Sequence, residues 1–156
     1  MNWDALGAVG EIVGAGAVVI SLVYLALQIR TQNNEARFSA MHDISVGYRD
    51  TLATIADGEM AVIVDKAIDS YDSLTRVELL RLIAGAGRIF RLWEEAYLLH
   101  EVGRLDNRSW KPMERQFCGY LDIVPFGRVW EIRKQYFDET FTEYVDLLDR
   151  SPYSFE

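Results

Sequence analysis

The sequence predicts an all-α protein: one N-terminal transmembrane helix over residues 1–30, then a helical bundle of about five amphipathic helices over residues 31–156. Three observations carry this. Residues 5–29 are almost unbroken in apolarity. Beyond them apolar residues recur at helical spacing, and alternating strand patterns are absent. Of the three prolines, Pro112, Pro125 and Pro152, none interrupts a long periodic run. Half of the 156 residues are hydrophobic, enough for a packed domain and against disorder.

In the first segment only Glu11 and Gln28 are strongly polar. At about 1.5 Å per residue the stretch 5–29 reaches about 37 Å, longer than a bilayer core of about 30 Å. Trp3 and Tyr24 stand about 31 Å apart on the same arithmetic, which suits two interfaces. The alternative, a buried helix of a soluble protein, rarely has this length and apolarity. A cleaved signal peptide is disfavoured by the acidic start MNWD and by QIRTQNNEAR, which has no small-x-small site. Arg30 and Arg37 follow the span and no basic residue precedes it, so the positive-inside rule places the N-terminus outside and the helical domain in the cytoplasm.

Gly7, Gly10, Gly14, Ala17 and Ser21 are spaced three, four, three and four apart, the seam of a left-handed helix pair. Small residues there let two backbones approach, which is how membrane helices gain packing energy. This predicts a homo-oligomer, with Ile12, Val13, Val19, Ile20, Val23 and Leu27 facing lipid. Glu11 stands one residue beyond Gly10. A carboxylate in a span is costly. It lines a pore or binds a cation in an oligomer, reaches water from about 12 Å depth, or is protonated against a neighbouring helix.

The helices that follow are expected over residues 34–56, 59–71, 76–102, 110–121 and 127–148. Phe38, Met41, Ile44, Val46, Tyr48, Leu52 and Ile55 form the apolar face of the first; residues 31–35 are a short break or a continuation. In the second, Met60, Ile63, Val64, Ala67 and Ile68 point inward. Thr75 and Glu78 make a capping box for the third, and Gly103 ends it. Ser109 or Asn107 caps the fourth, with Pro112 in its first turn. Residues 123–127 break the pattern. In the last helix Trp130, Phe137, Phe141, Tyr144 and Leu148 form a core stripe, while Asp138, Glu139, Glu143, Asp146 and Asp149 lie largely elsewhere.

The chemistry is sparse. Removing Asp4 and Glu11 leaves 22 acids against 16 bases beyond residue 29, a balance of −6 that gives no reason to seek nucleic acid. The lone Cys118 forms no internal disulfide, and no Cys/His framework for zinc exists. Neither His42 nor His100 follows a glutamate by three residues, as a di-iron bundle requires, so no metal and no cofactor is expected. No Walker loop, dinucleotide fingerprint or nucleophile elbow occurs, and no catalytic set is assigned. One candidate polar pocket remains: Arg81, Arg88 and Glu95 fall seven apart, Arg91 is one turn before Glu95, and AGAG at 84–87 permits close approach. The simpler reading is an ion-paired face beside a tight helix crossing.

Trp3, Gly10-Glu-Ile12, Gly14-Ala15 and YLALQIR at 24–30, together with RLWEEAYLLHEVGRLD, SW and VWEIRKQYFDETF, resemble a loosely defined family of small bacterial proteins. The resemblance spans most of the chain. It implies one inner-membrane span and a helical cytoplasmic domain, and it brings no activity. RLWEE departs from the pattern, since similar proteins often carry an asparagine there. The function expected is thus a non-enzymatic, membrane-anchored helical protein that self-associates through its span and offers its domain to a protein partner. The alternatives are an oligomeric channel with Glu11 near the path, or a ligand sensor or enzyme at Arg88 and Glu95.

Overall fold

Described residues run from 3 to 148 in this computed structural model. Among them are six α-helices and no strand: α1 Trp3–Ala56, α2 Gly58–Ser70, α3 Arg76–Glu101, α4 Asn107–Asp122, α5 Val124–Arg133 and α6 Glu139–Leu147. Short 3₁₀ turns at Tyr71–Ser73 and Lys134–Tyr136 follow α2 and α5. Contacts divide the chain into two units that meet at Ser39 and Ala40. The polar residues 31–35 do not interrupt α1.

In the first unit, every side chain over residues 10–39 is exposed. Ile12 and Ile20 are 73% and 71% open. This is one helix long and apolar enough to cross a membrane. The side chain of Trp3 lies outside the described residues, as do Asp149 and Pro152.

The second unit is built round α3, which packs against α2, α4, α5 and α6. Leu82, Ala86, Ile89, Phe90, Trp93 and Ala96 are fully buried along it. The expected aromatic stripe supplies the opposing side. Trp93 stacks on Phe117 at 5.3 Å, Phe90 meets Trp130 edge-on at 5.2 Å, and Phe141 sets its edge against both tryptophans. Such pairs add about 0.5–1.5 kcal/mol each beyond area burial.

Local signals placed α3 well. Thr75 accepts from the Glu78 N–H, and the Glu78 carboxylate accepts from the Thr75 N–H at 2.6 Å, closing the capping box. Gly103 takes φ +70°, the left-handed conformation in which a helix end favours glycine.

Four expectations change. The apolar face assigned to α1 is rotated: Phe38 is 74% exposed and Met41 and Leu52 are exposed, while Ala40, Ile44 and Thr51 are buried. The inward stripe is small because α3 comes close. A Cβ on Gly47 would stand 2.8 Å from the Leu92 side chain. In α2, Ile63 and Ala67 are buried but Ile68 is exposed. The start of α4 is Asn107, capped by Asp106, whose carboxylate accepts from the Ser109 N–H at 2.8 Å. Pro112 is therefore in the second turn, where it has no N–H to donate to the Arg108 carbonyl.

The helix expected over 127–148 is two helices. Pro125 lies in the first turn of α5, where its missing N–H costs nothing, so the stretch 123–127 starts a helix rather than breaking one. Asp138 then caps α6, accepting from the N–H groups of Thr140 and Phe141 at 2.9 and 3.2 Å.

Candidate functional site

Two places in the chain carry the residues singled out by sequence. The first is the small-residue seam of α1. A Cβ built on Gly7, Gly10 or Gly14 meets nothing within 4 Å. Ala17 and Ser21 are exposed on the same helix. The Ser21 hydroxyl donates to the Ala17 carbonyl at 2.9 Å, so it is satisfied within the helix and suits an apolar surround. Glu11 is exposed one residue from Gly10.

The second is the face of α3. Arg81, Arg88, Arg91 and Glu95 are all exposed, so no pocket inside the bundle collects them. Each arginine has its own partner. Arg81 pairs with Glu59 at the start of α2. Arg88 Nη1 donates to Thr54 Oγ1 at 2.7 Å. Arg91 pairs with Glu94 at 2.5 Å instead of Glu95, donates to the Tyr136 carbonyl at 2.7 Å and lies 4.2 Å over the Phe137 ring. Arg81 alone borders an open cleft of about 460 Å³, lined also by Ala53, Thr54, Asp57, Glu59 and Met60. One ion-paired guanidinium beside two carboxylates is not a charge balance that holds an anion.

The carboxylate that sequence reasoning passed over is Glu94. Its residue is 9% exposed. It accepts from the Asp138 N–H at 2.7 Å as well as from Arg91, and so ties α3 to the start of α6. The signal available was position: Glu94 follows the buried Trp93 and precedes Ala96 and Tyr97 on one face, whereas Glu95 falls between buried stripes.

A second polar cluster joins α4 and α6. The Glu114 carboxylate accepts from Tyr144 Oη and from Lys111 Nζ, the latter at 2.9 Å. Burial pushes the Glu114 carboxyl up, and these two donors outweigh it, leaving it below the usual range. Burial first, then Glu114, pushes the Tyr144 phenol well above its ordinary value. His100 stacks on Trp110 at 5.1 Å with Nδ1 2.9 Å from the Leu105 carbonyl, while His42 is exposed. Among the described residues no three His, Cys, Asp or Glu side chains converge.

No family model, curated protein or solved structure matches the chain.

Proposed function

We propose that this is a bacterial inner-membrane protein, held by one span, that pairs with copies of itself along Gly7, Gly10, Gly14, Ala17 and Ser21. The uncovered seam carries the reading. Twenty residues of apolar helix stand open at 10–29, and the glycines in it meet no side chain of their own chain. Lipid accounts for the branched side chains Ile12, Val13 and Ile20. It does not account for a heptad stripe of small residues, which gains packing energy by letting another backbone approach.

Arg30 and Arg37, just past the span, favour a cytoplasmic helical domain. That domain is read as an interaction module, since Arg81 and Glu94 hold neighbouring helices together. The resemblance of GEIxGA and YLALQIR to small bacterial membrane proteins supports the same assignment.

Light scattering on the full chain in detergent tests the pairing. Wild type is expected as an oligomer and Gly14→Leu as a smaller species. Equal mass for both would remove the seam. A C-terminal reporter active only in the periplasm would overturn the orientation.

One observation favours a second reading, a channel. Glu11 is a carboxylate left open on this apolar helix beside the seam. Bilayer conductance with altered selectivity in Glu11→Gln would support it, and absence of conductance would end it.

A further inference from the structure

We infer that the exposed face of α3 is a docking surface for α3 of a second copy, laid antiparallel. The contact lies within the helical domain and needs nothing from the membrane seam.

Leu80, Leu98 and Val102 are 59%, 43% and 69% exposed, with Ala84, Gly87 and Glu95 between them. These residues fall three or four apart through Arg91, which puts them on one helix face. The other faces of α3 meet α2, α4, α5 and α6. Scattered exposed apolar side chains are ordinary, whereas a contiguous row marks an interaction surface. Gly87 adds a second observation, because glycine weakens a helix interior. Gly85 has an internal reason: a Cβ there would stand 3.0 Å from Met60 Cε. A Cβ on Gly87 meets nothing within 4 Å, so its missing side chain leaves room for something outside the described chain.

Charge and size name the occupant. Glu95 makes no ion pair or hydrogen bond among the described residues. Arg88 donates to Thr54 Oγ1 and pairs with no carboxylate among them. The face also reads alike from either end. Arg91 is its centre, with Gly87 and Glu95 four residues to either side, Ala84 and Leu98 seven, and Leu80 and Val102 eleven. A second copy laid antiparallel about Arg91 sets Leu80 against Val102 and the small Ala84 against the large Leu98. It brings Glu95 over Gly87, beside Arg88, and the two-fold symmetry makes each contact twice. A parallel copy would oppose Ala84 with Ala84 and Glu95 with Glu95, leaving a gap and a like-charge clash. Arg91 does not bring its charge to the centre, because its guanidinium is held by Glu94 and the Tyr136 carbonyl.

The test is disulfide trapping of the full chain in membranes, with two differently tagged copies co-expressed and the chain bearing only Cys118 as blank. Ala84→Cys in one copy should bridge to Leu98→Cys in the other. Neither should bridge to its own kind. Antiparallel copies hold residue 84 about 21 Å from its equivalent along the axis, and a disulfide spans about 7 Å between Cα atoms. Placed in both copies, Arg88→Glu or Glu95→Arg should cut the bridge about tenfold, since each reversal turns two attractive pairs repulsive. With Arg88→Glu in one copy and Glu95→Arg in the other, both pairs are again opposite in charge and the bridge should return. A change confined to folding would not be repaired across copies. No bridge in any combination overturns the proposal. So does bridging between like positions, which marks a parallel or unordered contact, and so does failure of the mixed charge variants to recover. Gly14→Leu reads the seam through mass and the bridge reads this face, so either can fail without the other.

Discussion

Replacing Glu94 by alanine should be among the most damaging single changes in the helical domain. The Glu94 side chain is 12% exposed and takes two charge-assisted hydrogen bonds, from the Asp138 N–H at 2.7 Å and from Arg91 at 2.5 Å. A hydrogen bond to a charged group contributes about 1.5–3 kcal/mol. The Arg91 half must be discounted, because its guanidinium is 55% exposed and solvent screens it. The Asp138 half is worth more, since the amide at the start of α6 would lose its partner. Together these give about 3 kcal/mol for Glu94→Ala. Glu94→Gln keeps an acceptor for the amide and loses only ionic character, about 1 kcal/mol. Urea unfolding of the full chain in micelles, followed by tryptophan fluorescence, reads this through Trp93 and Trp130 in the core. With a slope of about 2 kcal/mol per molar, the alanine midpoint falls by about 1.5 M and the glutamine midpoint by about 0.5 M. Glutamine as harmful as alanine would refute the division between amide and ion pair. An alanine variant as stable as wild type would refute the tie between α3 and α6.

Other outcomes follow from the same geometry. Gly127→Ala would set a Cβ 2.7 Å from the Leu121 carbonyl oxygen, a backbone atom that cannot swing away. A loss of about 1–3 kcal/mol is expected from overpacking, read as a lower thermal midpoint. Gly103→Ala forces alanine to φ +70° with open space around it, so the cost is backbone strain alone, about 1–2 kcal/mol. Lys66, then Thr75, holds the Glu78 carboxyl at about 2 against an ordinary 4.5. Its contribution is complete above pH 4.5 and is lost as pH falls toward 2. Urea midpoints across that window should slope less in Glu78→Gln than in wild type, and an unchanged slope would assign the acid sensitivity elsewhere.

Much of this protein was legible in its sequence wherever the controlling interaction is local. Thr75 and Glu78 bond to each other's backbone three residues apart, and Gly103 needs only its own φ, so the bounds of α3 could be read directly. The length and apolarity of residues 10–29 likewise needed no partner to be recognised. Tertiary structure decided the rest. Which face of α1 is buried depended on Leu92 reaching Gly47, a contact no hydrophobicity pattern contains. Where the last helix breaks depended on Glu94, 44 residues upstream, taking the Asp138 amide. Both glutamates of RLWEE are chemically alike. The packing of Trp93 against Phe117 and Phe141 fixed the rotation of α3, and that rotation put one glutamate inside and the other in water. Caps and spans are set by residues within a few positions of each other, whereas burial and pairing are set by whichever distant surface arrives.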